Sequence, residues 1–433
     1  MFFGKLIVLP LYSVLSQEEQ QEIFNPVPVN YLGMPLARKC IVSTNIAETS
    51  LTIDGVHYIV DSGRCEQKRF LPKDRVDQFT VEPISKASAS QRAGRAGRTA
   101  GGKCFRMYTE LFYNKMEEYS VPEILKCNFA NVALLLKRLG VSDLNNFNYM
   151  VSPKPEAIQH ATDLLRHLGA LDQNYSITPL GVLMAEFPVD PPLAKMLIMA
   201  SRKYRCANEI LTLVSVLSAP PIFSRPRKKA TEADQKHAIF VHPDGDHLTI
   251  INVFNAYAEI MLNTKKDPEN EKFDWCLENF FRFESLQQAE KIRSQLYHSM
   301  YTSQLDCASL DLKHKDYSIN IRKCVLEGFF TQLNRLCLNY SLKDSESVRV
   351  LIHQTSQMRN TPPQWLVYNE LNRMERSNVM RVVSSINVQW LFEVAPHYFS
   401  DLNSWPAGLV KERLLSAKAE FDLFPFEKTL TLN

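Results

Sequence analysis

The run Gln91-Arg92-Ala93-Gly94-Arg95-Ala96-Gly97-Arg98 sets guanidiniums at three-residue intervals with glycines between them. Arginine forks match phosphate oxygens and can stabilise the charge that develops in phosphoryl transfer. A glutamine beside them can orient an attacking water. If the run opens a helix, Gln91, Arg95 and Arg98 fall on one face. Gly94 and Gly97 would then admit a phosphate or a second backbone. A solvated basic helix start is the plainer alternative.

Such arginines need a scaffold. Upstream, Cys40 to Val42 reads as a short buried strand, with Ser43, Thr44 and Asn45 at its carboxyl end and a second strand at His57 to Val60. Open α/β sheets bind ligands at that end. Small hydroxyls there can hold a nucleic-acid phosphate without adding bulk. Leu6 to Leu11 reads as another buried strand, and Ser16 to Phe24 as a helix capped by Ser16 with Glu19 three residues on. Glu66 to Ile84 has strand-like halves around Pro72-Lys73-Asp74-Arg75, a hairpin signal.

Ser-Thr-Asn-Ile-Ala-Glu-Thr-Ser-Leu-Thr-Ile-Asp-Gly from Ser43 to Gly55, followed by Gln91 to Arg98, resembles motifs V and VI of superfamily 2 helicases. Together they are similar to the DEAH-box RNA helicase branch. Leu9-Pro10-Leu11-Tyr12 through Phe24 resembles that branch's motif IVa region. His242 to Thr249 and Trp365 to Glu370 resemble a subgroup that disassembles spliceosomes and acts in ribosome biogenesis.

The resemblance implies a multidomain chain, α/β then α then β. A second RecA-like domain would span 1–121, a winged helix 122–188, a helical-bundle or ratchet domain 189–305, an OB-fold 306–398 and a C-terminal extension 399–433. It implies that Gln91, Arg95 and Arg98 face the γ-phosphate and attacking water, with Arg92 close to the nucleotide. Phe24 would stack on adenine and Asp54 would meet the ribose. Ser43 and Thr44 would contact RNA phosphates, and Ser50 would couple nucleotide state to RNA. The hairpin would separate strands, with Lys68, Arg69, Lys73 and Arg75 near phosphates. Arg64 departs from the branch's pattern, which has an apolar residue after Asp-Ser-Gly.

The sequence contains no Gly-x-x-x-x-Gly-Lys-Ser/Thr phosphate loop and no Asp-Glu-Ala-His run. The expectation is therefore a C-terminal helicase half whose first RecA-like domain lies elsewhere, unable to hydrolyse ATP alone. ATP and Mg2+ would serve the complete enzyme, the metal held by residues outside this sequence. Expected partners are single-stranded RNA, G-patch activators and spliceosomal or pre-ribosomal particles, with no membrane; the expected location is the nucleus, with the nucleolus and cytoplasm as alternatives. The competing expectation is a short non-catalytic protein that binds RNA or a G-patch activator and competes with the full helicase.

With 433 residues, 45% hydrophobic, several folded domains are expected. The net charge of +3 is too small to mark a nucleic-acid binder by itself, so binding must use local patches. The nine cysteines lack metal spacing, and Cys40, Cys104 and Cys324 read as reduced core residues.

Further along, helices are expected at Asn131 to Leu139 and Pro155 to Leu168, ending at Gly140 and Gly169. Two more are expected within Pro191 to Leu217. Asp246 reads as the N-cap of a helix to Ile260, with His242, Asp244 and His247 crowded there for capping rather than for a metal. Asn263 to Lys272 reads as a polar loop, and Trp275 to Leu296 as one long helix. Strands are expected at Val348 to His353, Trp365 to Tyr368, Val379 to Val383 and Trp390 to Val394, forming a small barrel. The tail, with Leu414, Leu415 and Phe421, is expected to pack back on the body.

Overall fold

The computed structural model describes residues 5–12, 15, 17–26, 37–49, 51–72, 76–98, 100–263, 268–335, 340–341, 350–373, 377–405 and 407–423. The chain divides into two compact units, residues 1–69 with 79–126 and residues 70–78 with 127–433.

In the first unit, β1 (Lys5–Leu11) and β2 (Ala37–Ser43) pair in parallel, with Leu11 opposite Ser43. Helix α1 (Gln17–Phe24) lies between them in sequence, as parallel neighbours require a crossover. A short α2 (Ile46–Thr49) follows β2. β3 (Tyr58–Asp61) leads into the hairpin of β4 (Arg64–Leu71) and β5 (Val76–Pro83), as the turn chemistry predicts. Helix α3 (Lys86–Gly94) carries the arginine run, and β6 (Lys103–Arg106) returns to pair in parallel with β3. α4 (Glu110–Asn114) closes the unit's helices, its first turn capped by Thr109.

The strands were expected to be buried throughout. Instead Leu6, Val8 and Val42 are 51%, 56% and 60% exposed, and Cys40 is exposed too. Strand side chains alternate between faces, so only one set, including Leu11 and Ala37, meets the core. Of the expected core cysteines, Cys324 is buried and Cys104 half-buried.

The second unit begins with α5 (Ala130–Arg138) and α6 (Pro155–His167). Both end as expected, on Gly140 (φ +89°) and Gly169 (φ +78°), the left-handed geometry glycine adopts without strain. Leu171 bridges Ile177, and the Thr178 hydroxyl accepts the Gly181 N–H to start α7 (Pro179–Met184). The bundle follows: α8 (Pro191–Met199), a π-turn at Ala200–Tyr204, α9 (Ala207–Leu217), α10 (Ala230–Ala238), α11 (Asp246–Asn263), α12 (Pro268–Glu278), α13 (Phe283–Thr302) and α14 (Tyr317–Phe329).

Two expectations fail in the bundle. Residues 268–272 are helical, and the single helix from Trp275 is broken at 279–282. The break is a Schellman end: Phe281 N–H bonds the Cys276 carbonyl and Phe280 N–H the Leu277 carbonyl, with Phe280 at φ +57°. Phe281 then stacks on Trp275 and meets Phe223 edge-on, so aromatic packing outweighs the strain.

The last layer is a small β structure: β7 (Leu333–Arg335), β8 (Tyr340–Ser341), β9 (Val350–Ile352), β10 (Trp365–Arg373) and β11 (Asn378–Ser385). β10 and β11 pair antiparallel, while β9 runs parallel to β11. The hairpin tip belongs to this unit. Asp77 and Gln78 pair in parallel with Asn372 and Arg373, and Val76 joins the core of Leu366, Met380 and Val383. Trp365 and Tyr368 are buried.

The expected strand at Trp390 is a helix, α15 (Trp390–Val394). The Asn387 side chain accepts the Gln389 N–H, turning the chain, and Leu391, Phe392 and Val394 bury while Trp390 lies under Arg322. The tail packs back as expected: Leu414 of α16 (Leu409–Leu423) is fully buried.

Candidate nucleotide and nucleic-acid site

The carboxyl ends of β1 and β2 begin the site. The Thr44 N–H bonds the Leu11 carbonyl, closing the strand pair, and leaves Ser43 and Thr44 exposed beyond it. The Ser43 hydroxyl donates to the Thr44 carbonyl at 2.8 Å. Ser50, Lys73 and Arg75 lie outside the described residues.

Phe24 ends α1 and is 50% exposed, whereas its neighbour Ile23 is buried. Lys39, from β2, donates to the carbonyls of Ile23 (2.8 Å) and Asn25 (2.5 Å). A cation on the last carbonyls of a helix is favourable, and this one fixes the backbone on either side of the Phe24 ring. Asp54 is exposed in a turn whose next residue, Gly55, adopts φ +73°.

Helix α3 starts on a clean cap, the Ser85 hydroxyl accepting the Ser88 N–H at 3.1 Å. The regular helix ends at Gly94, and Arg95–Gly97 tightens into a 3-10 turn. The arginines therefore do three different jobs. Arg95 is bound to the motif V loop: its guanidinium donates to the Glu48 carbonyl (Nε, 2.8 Å) and to the Leu51 carbonyl (Nη1, 2.7 Å). Arg98 is exposed and donates through Nη1 to the Thr52 hydroxyl, 2.5 Å away. Gln91 is exposed.

Arg92 is the centre of a buried hub. Its Nε donates to Glu48 and its Nη1 to Asp61, both at 2.9 Å, and Nη1 also reaches the Arg64 carbonyl at 3.2 Å. Asp61, 2% exposed, accepts two further bonds, from the Gly63 N–H (3.0 Å) and the Tyr108 hydroxyl (2.9 Å). Glu48 accepts from the Ser88 hydroxyl as well. Burial works against the Arg92 charge, but bonding to Glu48 and Asp61 outweighs it and holds the guanidinium more firmly protonated. Burial and the bond to Asp61 push the Tyr108 phenol up. The hub ties α2, β3, α3 and the hairpin base together inside the first unit.

The glycines of the arginine run are not contact points: a side chain at Gly94 or Gly97 would meet open space. The close approaches are at Gly102, where a Cβ would lie 2.1 Å from the Ala96 carbonyl oxygen, and at Gly63 against the Tyr108 ring. Gly63 (φ +70°) sits immediately before Arg64. There the backbone carbonyl of Arg64, not its side chain, is what Arg92 uses.

On the hairpin, Lys68 is exposed, whereas Arg69 is paired with Glu82 at 2.5 Å. Burial raises the Glu82 carboxyl, but hydrogen bonds from Arg69 and Thr80 prevail and lower it. Asp246 does not cap α11. Its carboxylate accepts the Val383 N–H (2.9 Å) and the Ser356 hydroxyl (3.0 Å). Asp244 pairs with Arg322 at 3.1 Å, and the His247 ring meets the Ser384 hydroxyl at 2.8 Å. These groups latch the start of α11 to the β structure. Among the described residues no group of His, Cys, Asp and Glu has the arrangement of a metal site.

Sequence reasoning did not single out Glu48, Asp61 or Tyr108. The available signal was a carboxylate inside an otherwise small, uncharged run and an aspartate closing a strand before Ser62-Gly63.

Residues 2–100 match the helicase conserved C-terminal domain, 161–189 the winged-helix part and 190–250 the ratchet-like part of the helicase-associated (HA2) domain, and 321–398 an oligonucleotide/oligosaccharide-binding (OB) fold. A RecA-like lobe followed by these three is the C-terminal arrangement of DEAH/RHA helicases, and the chain belongs to that class as its C-terminal region. The class implies ATP use, and its OB-fold suggests nucleic-acid binding. Among the described residues no helix is long and apolar enough to cross a membrane.

Proposed function

We propose that this chain supplies the second nucleotide-facing lobe and the RNA-gripping C-terminal domains of an RNA helicase that remodels spliceosomal or pre-ribosomal particles in the nucleus. The observation that carries the reading is the division of labour among the motif VI arginines. Arg95 holds the motif V loop from inside, while Gln91 and Arg98 stay exposed with Phe24 and Asp54 in the same unit.

The exposed groups suit a nucleotide. Phe24 is half exposed on a backbone pinned by Lys39. Arg98 keeps guanidinium donors beyond the one on Thr52. Phe24 would take the base, Asp54 the ribose hydroxyls, and Arg98 with Gln91 the terminal phosphate and its water. Bound ATP supplies the phosphoryl-transfer step, with Mg2+ held by carboxylates outside this sequence. Arg92 would act through its neighbours, keeping motif V, α3 and the hairpin base in register. Ser43 and Thr44 would hold RNA phosphates, giving recognition of backbone rather than sequence. A G-patch activator is the protein partner this reading expects.

The test is direct binding by the chain. Anisotropy with a fluorescein-labelled U12 strand should give an affinity that falls with salt, as phosphate contacts require. A fluorescent N-methylanthraniloyl ATP should bind, and Phe24→Ala and Arg98→Ala should each weaken it at least fivefold. Nucleotide affinity indifferent to both substitutions would refute the assignment.

A further inference from the structure

The second unit holds a partly open pocket of about 450 Å3 between the bundle and the β structure. That is within the range of small-molecule sites and large enough for one nucleotide. One wall is apolar, built from Leu217, Ile222, Phe223 and Ile250. The rest of the lining includes Asp246, Glu370, Arg359 and Arg381, with Arg225 paired to Asp234.

Both arginines supply guanidinium donors suited to an anion. Arg381 lies on β11 opposite Glu370 on β10, and Arg359 is exposed on the turn after β9. Neither makes an ion pair within 4 Å among the described residues. Burial, then the charges of Arg381 and Arg359, lower the adjacent His353 to about 4. Asp246 is opposite in character. Each of its oxygens accepts one protein hydrogen bond, from Ser356 or Val383. A carboxylate oxygen has two acceptor positions, so one stays open on each.

An anion grip, an apolar wall and a two-oxygen acceptor are the counterparts of a nucleotide with two adjacent donors on its base. Guanine presents N1–H and N2–H together, matching a carboxylate in parallel bonds, as arginine does. Uracil offers a single ring N–H. Adenine alternates donor and acceptor along its pairing edge.

We propose that this cavity is a guanine-nucleotide subsite, with the phosphate on Arg359 and Arg381, the base along the Phe223 wall and its N–H edge on Asp246. The same chemistry is offered by a free guanosine monophosphate and by a guanylate within a single strand. Only the strand source rests on the RNA-binding reading.

Calorimetry with the 433-residue chain uses GMP, AMP and UMP as probes. GMP should bind at least tenfold tighter than the other two. Arg359→Ala with Arg381→Ala should weaken GMP at least tenfold, and Asp246→Asn should erase the base preference while retaining phosphate-dependent binding. The arginine pair, at exposed and half-exposed positions, carries the test if Asp246→Asn disturbs the latch. The strand source predicts that a labelled 12-mer with a central guanylate triplet binds at least fivefold tighter than U12 and is displaced by GMP. The free-nucleotide source predicts GMP binding with no effect on either strand. No GMP binding, binding without base preference, or binding untouched by the arginine substitutions overturns the proposal. U12 binding that survives such a result leaves the RNA reading standing. GMP binding without U12 binding leaves the subsite standing and removes the RNA reading.

Discussion

Arg92→Ala should be among the most destabilising single substitutions in the first unit. It removes bonds to Glu48, Asp61 and the Arg64 carbonyl at 2.9, 2.9 and 3.2 Å. It also leaves two carboxylates, one with its side chain fully out of water, without their counter-charge. Breaking a buried pair by removing one partner costs about 3–5 kcal/mol. Domain stabilities are about 5–15 kcal/mol, so the unit would approach its unfolding threshold. Hydrogen exchange of amides in α2, α3 and the hairpin base measures the loss locally, which matters because two units need not unfold together.

A second substitution supplies the sharper test. Asp61→Asn added to Arg92→Ala should recover part of the loss, since it deletes one unmatched charge. A cost under about 1 kcal/mol for Arg92→Ala, or no recovery in the double variant, would refute a hub held by charge.

Arg95→Ala should destabilise the 46–52 loop by about 1–3 kcal/mol, because it leaves the Glu48 and Leu51 carbonyls without donors, while Arg98→Ala should stay within about 0.5 kcal/mol; denaturant titration separates them. Gly245→Ala should cost about 3 kcal/mol, since a Cβ there would lie 2.4 Å from the Ser384 Cα and φ is +140°; thermal unfolding should show the loss. Burial raises Asp246 to about 6, so the wild type should gain roughly 1 kcal/mol from this group between pH 7 and pH 5, a gain absent in Asp246→Asn. Burial lowers His247 to about 3, so that imidazole opposes the gain in both proteins as pH falls below 6.5, and the difference between them isolates Asp246. The chain alone should show no RNA-stimulated ATP hydrolysis in a phosphate-release assay, and robust turnover would overturn that expectation.

Elements whose signal is local were legible in the sequence. Gly140 and Gly169 stop their helices as glycine should, and the Pro72 turn sits between the expected strands. Misreadings came where distant contacts decide. Nothing near Phe280 marks a helix break, because the aromatic partner Phe223 is 58 residues away from Phe281 (281 − 223). Trp390 has strand composition but is turned by Asn387 and covered by Arg322. Asp246 has every local mark of an N-cap, yet its partners come from residues 110 and 137 positions later. In the candidate site, the residue types of motifs V and VI were visible. Their division of labour was not, since which arginine turns inward depends on the 3-10 turn after Gly94.

That separation of 137 residues sets a timetable. Ribosomes add about 5–20 residues per second, so His247 and Asp246 wait about 7–27 s after synthesis before Val383 and Ser384 exist. During that interval the start of α11 can fold only with its carboxylate and imidazole still hydrated. The bundle should therefore pass through a half-made stage on the ribosome, with the β structure arriving last to dry it. Pausing translation before residue 383 would lengthen that stage and give chaperones their longest access to the chain.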